Sequence, residues 1–247
     1  MTKKSRVDKF NFKAGHKIAD KYTVVEKLGE GFESEVYKVV EDCTKIERAA
    51  KLFFPHRNIQ NRTAIRYAKL LHQLTACPIV IHYHTHEFIS FKDHQIVCLI
   101  SEYVDGLLLT DFLKRQPGKR LGIFQGLQLL HALAAGLESM HHLKVHHGDL
   151  HAENIIVKRY GLGFELKLLD MYRWVGDSRS YTKDDLCEAI NVFYQAIGGK
   201  RFYAAFPPEV KAICCGLKRS LIKQKYKSAT VLRTYLENIE WTSAYRE

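Results

Sequence analysis

The hydrophobic period of this chain changes once, near Val104–Gly106, and that change constrains the fold more than any other feature. Upstream, "KYTVVEKLG", "EVYKVVE" and "IERAAKLFF" are short runs rich in β-branched and aromatic residues, broken by turn formers, and read as strands. "IVIHYHTHEFIS" and "QIVCLISEYV" read the same way, with Lys92 and Asp93 in the turn between them. Between the two groups, residues 59–75 read as a helix, with Ile65, Ala68 and Leu71 at helical spacing. Downstream, Phe124, Leu127, Leu130, Ala134, Leu137 and Met140 mark one face of a long amphipathic helix. "NIIVKR" and "FELKLLD" then form two short strands joined through "YGLG", and everything from Asp184 onward reads helical. A strand-rich first part with one main helix, followed by a mostly helical second part, predicts an α+β protein of two lobes. The cleft between such lobes is the expected ligand site.

Composition fits that picture. With 247 residues, 46% hydrophobic and 26% charged, the chain can bury a sizeable core and is not of the disordered type. Lys and Arg exceed Asp and Glu by 38 − 27 = 11. Such an excess suits anionic ligands, and equally a solvated basic surface. The basic residues are scattered and no aromatic-interleaved basic run is present, so no nucleic-acid platform is evident. The six cysteines, at 43, 77, 98, 187, 214 and 215, form no CxxC pair and read as buried thiols in a reducing compartment. No apolar stretch is long enough to span a bilayer, and the basic start "MTKKSRVDKFNFKAGHK" lacks the apolar core of a secretory signal, so a cytoplasmic location is expected. His82, His84 and His86 alternate along a strand; three imidazoles on one face can bind zinc, although such runs are more often an exposed strand face. Nothing in the pattern sets the oligomeric state.

Several motifs carry chemistry. In "KLGEGFESEVYKV", Gly29 and Gly31 lie between two strands, where missing Cβ atoms let backbone amides approach phosphate oxygens. A plain hairpin also favours glycine there. Lys51 stands on the next strand between apolar neighbours, able to meet α- and β-phosphates. In "VHHGDLHAENIIV", Asp149 and Asn154 share one compact loop after the long helix. The carboxylate can accept the proton of an attacking hydroxyl and the amide oxygen can bind a divalent cation. Asp170, closing "LKLLD", is a second carboxylate suited to Mg²⁺.

In this order, these residues resemble the protein-kinase-like superfamily over essentially the whole chain, from about Tyr22 to Leu236. The loop is similar to that of atypical Ser/Thr protein kinases with an HGDLHxEN sequence. The resemblance implies a bilobal kinase fold: a tail at 1–21, an N-lobe at 22–104 and a C-lobe at 105–247, with the kinase domain at 22–240. It implies ATP and Mg²⁺ as cofactors. Leu28, Gly29, Glu30, Gly31, Val36, Ala49 and Lys51 would line the nucleotide site, with Ser34 in place of the third loop glycine. Ser101 would be the gatekeeper, Glu102 and Tyr103 would offer backbone groups to adenine, and Ile156 would lie beneath the purine. Asp149, Lys51 and His151 would be catalytic and Asn154 and Asp170 the metal ligands. Asp185 would hold the catalytic loop from behind.

The departures from the family bear on activity and substrate. No Asp or Glu occurs between Glu47 and Glu87, so the helix acid that pairs with the strand Lys is missing and Tyr67 falls at its position; either Lys51 is anchored by Asp170 or a polar group such as Tyr67, or activity is weak. Gly148 replaces the Arg that gathers a phosphorylated activation loop, which predicts activity independent of loop phosphorylation. His151 replaces the Lys that contacts the γ-phosphate, and Tyr172 the glycine of the metal motif. The segment from Met171 to Asp184 is short and lacks Ala-Pro-Glu. Ser178, Ser180, Tyr181 and Thr182 read as loop polars. The leading expectation is a constitutive protein Ser/Thr kinase acting on a protein hydroxyl. The alternatives are a small-molecule kinase of aminoglycoside- or choline-kinase type and a nucleotide-binding pseudokinase scaffold.

Overall fold

The structure, a computed structural model, describes residues 6–161, 163–171 and 178–241, apart from the side chains of 178–180. The chain divides into two compact units, Met1–Ala76 with Ile81–Val104, and Cys77–Val80 with Asp105–Glu247.

The first unit is built on an antiparallel sheet. Its strands are β1 (Lys17–Ile18), β2 (Tyr22–Glu30), β3 (Ser34–Glu41), β4 (Glu47–Phe53), β5 (Tyr83–Phe91) and β6 (His94–Glu102), in the order β1-β2-β3-β4-β6-β5. Alternation sorts the side chains. Tyr37, Val39, Ala50, Leu52, Cys98 and Ile100 point to one face and form a closed core with Tyr22, Val24 and Ile96. Each large side chain buried there contributes about 1.5–3 kcal/mol. The register pairs Val36 with Lys51, Lys51 with Leu99 and Ala49 with Ser101, so these five residues share the opposite face.

Helix α1 (Arg62–Gln73) packs on that opposite face through Ala64, Tyr67 and Ala68, which meet Phe53, Val97 and Leu99. It is shorter than the 59–75 expected, because a 3-10 turn at Ile59–Asn61 precedes it and Asn58 Oδ1 accepts from the Ala64 N–H at 3.2 Å. Ile65, expected on the buried face, is exposed.

Residues 6–21 do not trail as the tail expected at 1–21. Val7, Phe10 and Ile18 join the core of the first unit, and β1 pairs with β2. Phe10 stacks on Phe54 at 5.4 Å and meets Phe91 edge-on at 5.3 Å. Apolar anchors spaced irregularly along a basic run give no period to read.

The second unit comprises β7 (Leu107–Leu108), α2 (Leu109–Lys114), α3 (Ile123–His142), β8 (Ile155–Tyr160), β9 (Gly163–Leu168), α4 (Ser178–Ala196), α5 (Pro208–Cys214), α6 (Arg219–Lys225) and α7 (Ala229–Glu237). Its strands form a small sheet in the order β7-β8-β9. Leu130, Ala134, Leu137 and Met140 of α3 are buried as expected, while Phe124 at its start is exposed. Helix α3 packs against α4, α7 and β9. Segment Cys77–Val80 belongs here although it lies between α1 and β5 in sequence. The Leu168 N–H donates to the Ile79 carbonyl at 2.7 Å, and a Cβ on Gly136 would collide with Ile79. Helix α4 starts at Ser178 rather than Asp184, so Tyr181 and Thr182 are helical, not loop residues. The expectations on Tyr172 and on the side chains of Ser178 and Ser180 lie outside the described residues. Cys77, Cys98, Cys187 and Cys214 are buried free thiols as expected, whereas Cys215 is half-buried and Cys43, in the turn between β3 and β4, is exposed. No helix among the described residues is long and apolar enough to cross a membrane.

Candidate active site

In the first unit, β2 and β3 turn through Gly31, Phe32 and Glu33, with the Gly31 N–H bonded to the Ser34 carbonyl at 2.9 Å. Gly29 pairs with Val36, and a register shift between Lys27 and Gly29 leaves Leu28 partly exposed. A Cβ built on Gly29 or Gly31 would meet nothing within 4 Å, and neither residue has a positive φ. The fold itself therefore demands no glycine at either position. Glu30 directs its carboxylate to Lys27 and Lys9.

Val36, Ala49 and Lys51 are half-buried on the sheet face opposite the core, and Ser101 is 7% exposed beside Ala49. The Glu102 N–H is bonded to the His82 carbonyl at 2.9 Å, so for adenine this residue retains only its carbonyl. The Tyr103 ring lies 4.2 Å from Lys38 Nζ. Lys51 Nζ sits over the Tyr67 ring, 4.5 Å from its centroid, and 5.6 Å from that of Phe53. The aromatic at the missing acid's position thus faces the strand Lys with its π surface.

In the second unit, the loop between α3 and β8 hangs from two carboxylates of α4. Asp185, fully buried, accepts from the N–H groups of His147 and Gly148, both at 2.9 Å, and contacts His141 Nε2 at 2.9 Å. Glu188, one turn on, accepts from the Leu150 N–H at 3.0 Å. Backbone groups on both sides of Asp149 are thereby fixed while its own side chain stays 57% exposed. Gly148 has φ +77°, a left-handed conformation that suits glycine better than the family's Arg.

His147 locks the loop from within. Its Nδ1 accepts from the Asp149 N–H at 3.2 Å, which puts the ring proton on Nε2, 2.9 Å from the Leu169 carbonyl. Burial pushes its pKa below the usual histidine value, outweighing Asp185, the Leu169 carbonyl and Asp149. For Glu188, burial drives the pKa up; the Leu150 N–H opposes this, and the neighbouring Asp185 and Asp149 add to it.

Asn154 Nδ2 donates to the Asp149 carbonyl at 2.9 Å and lies 3.4 Å from Oδ2 of the same residue. The amide oxygen is thereby left as an acceptor, the group a hard cation needs. His151 Nδ1 lies 3.3 Å from the Glu153 backbone nitrogen, and its Nε2 lies 3.6 Å from Asp149 Oδ2 and 3.0 Å from Asn154 Nδ2. The Leu169 N–H bonds to the Asn154 carbonyl at 2.9 Å, so Asp170, exposed at φ +45°, is tethered next to this group. Ile156 is half-buried in β8, paired with Leu108.

The second unit therefore gathers Asp149, His151 and Asn154 and ties them to the backbone beside Asp170. The first unit places Val36, Ala49, Lys51 and Ser101 on one face. Glu188 and the buried Glu35 were missed by sequence reasoning; each acts through backbone groups far away in sequence, and no spacing signals that. The three strand histidines go separate ways: His82 lies 3.4 Å from Glu102, His84 2.7 Å from Arg48 and His86 3.2 Å from the Tyr83 hydroxyl. No cluster of His, Cys, Asp or Glu that could hold a metal ion occurs among the described residues.

Comparison with known proteins agrees with this geometry. The chain is 27% identical over 171 residues to "Serine/threonine-protein kinase fray1" of Dictyostelium discoideum, covering 68% of this chain and 28% of that protein. It is 30% identical over 152 residues to "Serine/threonine-protein kinase pkn2" of Myxococcus xanthus, covering 61% and 18%. The chain thus spans less than a third of the length of these relatives. The solved kinase domain of Mycobacterium tuberculosis PknI shares its fold, with a TM-score of 0.61 at 19% identity over 92% of this chain and 98% of that one. The profile of the protein kinase domain family matches residues 22–210, and the chain belongs to that family.

Proposed function

We propose that residues 22–240 form a constitutive protein Ser/Thr kinase domain that transfers the γ-phosphoryl group of ATP to a protein hydroxyl in the cytoplasm. The observation that carries the reading is the catalytic loop, in which Asp149, His151 and Asn154 converge while two α4 carboxylates hold the backbone on either side of Asp149. The acceptor oxygen attacks the γ-phosphorus, the bond to the β–γ bridging oxygen breaks, ADP leaves, and Asp149 orients the hydroxyl and takes its proton. Lys51 and the amides near Gly29 and Gly31 hold phosphate oxygens. Asn154 and Asp170 would hold Mg²⁺, which offsets the charge that develops on the leaving oxygen. His151, beside Asp149 and Asn154, supports the phosphoryl group from the loop. The family membership and the Ser/Thr kinases among the relatives support a protein as acceptor.

The test is incubation with labelled ATP and Mg²⁺, alone and with generic protein substrates. Label is expected on Ser or Thr. In Asp149→Asn it should fall by about 10²–10⁴-fold, the usual worth of a general base, with the melting temperature retained because the side chain is exposed. A folded, ATP-binding sample that labels nothing refutes the kinase reading.

A further inference from the structure

Glu35, a carboxylate of the first unit that phosphoryl transfer does not use, is completely buried. It is the second residue of β3. Its Oε2 accepts from the Tyr37 hydroxyl and from the Asn11 backbone N–H, the latter at 3.2 Å, and Lys27 Nζ lies 3.0 Å from its Oε1. Lys27 also reaches Glu30 at 2.6 Å. One ammonium therefore joins the last residue of β2 to the second residue of β3 and brackets the turn through Gly31, Phe32 and Glu33.

The N-terminal segment closes this network from outside. The Phe12 N–H donates to the Tyr37 hydroxyl at 3.1 Å, and Lys9 Nζ lies 3.5 Å from Glu30. The Phe12 ring stacks on His16 at 3.9 Å and packs on Tyr37 at 5.6 Å. Residues 9–12 precede the region, 22–210, that matches the family, so the clasp is an addition to it.

Burial pushes the Glu35 carboxyl upward in pKa. The Tyr37 hydroxyl, Lys27 and the Asn11 N–H outweigh that and hold it below the usual range, so it is charged at neutral pH. A buried ion pair is a poor source of stability, since apolar side chains of equal volume serve as well or better. It does fix geometry, and the β2–β3 ladder needs such help here because its register shifts between Lys27 and Gly29.

We propose that Glu35 is a positioning residue for the nucleotide phosphates. Acting through Lys27, Tyr37 and residues 9–12, it holds both ends of the Gly31–Glu33 turn, closed by the Gly31 N–H to Ser34 carbonyl bond, so that the N–H groups of Phe32 and Glu33 are preorganised. The role of the phosphates rests on the kinase reading; the ordering of the turn does not.

The experiment uses the full chain and compares wild type with Glu35→Gln and with the milder Tyr37→Phe. Amide hydrogen exchange at residues 29–33 reads the turn, exchange in β6 reads global stability, and initial rates give KM for ATP and kcat. In Glu35→Gln, exchange at 29–33 should quicken and KM should rise by about tenfold, the worth of one charge-assisted hydrogen bond, with kcat and β6 exchange unchanged. Tyr37→Phe should move the same two quantities by less. Unchanged exchange at 29–33 in a folded variant overturns the proposal. So does an equal loss of protection everywhere in both variants, which would make the network structural only. If the wild type transfers no phosphoryl group, the kinase reading fails while local quickening at 29–33 still sustains the positioning role.

Discussion

Replacing Tyr67 asks what its ring contributes to holding Lys51. The 4.5 Å approach of Nζ to the ring centroid is a cation–π geometry, and helix α1 has no acidic residue in its first turn or anywhere along Arg62–Gln73. Such contacts are worth about 0.5–1 kcal/mol when exposed and about 2 kcal/mol when desolvated. Lys51 and Tyr67 are both half-buried, which places the contact near 1–2 kcal/mol, or about 5–30-fold in ATP use. Tyr67→Leu keeps apolar volume and removes the π face, so kcat/KM for ATP should fall by about that factor. Tyr67→Phe keeps the face and should retain most activity. Tyr67→Glu supplies a carboxylate and should restore an anchor of the ordinary kind, while Lys51→Ala sets the largest loss attainable. Steady-state rates over a range of ATP concentrations, with nucleotide affinity from a thermal shift, separate these variants. A silent Tyr67→Leu, or a Tyr67→Phe as damaging as Tyr67→Leu, would refute the π-face account; the second result would assign the anchor to the hydroxyl.

Three further outcomes are expected. A carboxyl raised in pKa on folding favours the folded state at low pH, and that contribution is lost as pH rises through the folded value. Glu188→Gln, which keeps an acceptor for the Leu150 N–H, should therefore raise the melting temperature by about 2–4 °C at pH 7 and leave it unchanged near pH 4; an equal gain at both pH values would exclude charge as the cause. His147 behaves oppositely to a histidine that gains an acid. With its folded pKa depressed, only the unfolded chain takes up a proton as pH falls below about 6.5, so stability is complete above that value and declines beneath it. The urea midpoint should drop from pH 7.5 to 5.5 less steeply in His147→Gln than in wild type, and identical slopes would contradict this. Finally, with Gly148 in place of an Arg receptor, samples separated by their phosphorylation state should phosphorylate substrate at the same rate; a difference would show that the loop is a switch after all.

The elements with a clear period were legible in sequence. Alternation in 21–54 and 79–104 gives the strands of the first unit, and the spacing of Leu130, Ala134, Leu137 and Met140 gives α3. That Asp149 and Asn154 share one compact loop was legible from their short spacing between α3 and β8. What escaped depends on contacts between distant parts of the chain. Val7, Phe10 and Phe12 look like stray apolar residues until the sheet offers them Tyr37, Phe54 and Phe91. The start of α4 was misplaced because 178–183 is polar and lacks an apolar stripe, leaving no sign that the backbone is already helical there. Tyr67 does lie beside Lys51, but whether its hydroxyl or its ring would meet it is a rotamer question that no pattern encodes.

The four residues Cys77–Val80 have a practical consequence. Because they belong to the second unit, the chain passes from one unit to the other three times, after Ala76, after Val80 and after Val104. A split reporter cut at the obvious junction, between Val104 and Asp105, would leave these four residues on the wrong fragment. The C-terminal piece would lack the Ile79 carbonyl that Leu168 needs and the side chain that fills the space over Gly136. Fragments divided there should each be poorly soluble yet complement when co-expressed. A permuted gene that keeps Cys77–Val80 covalently ahead of Asp105 should rescue the second piece alone.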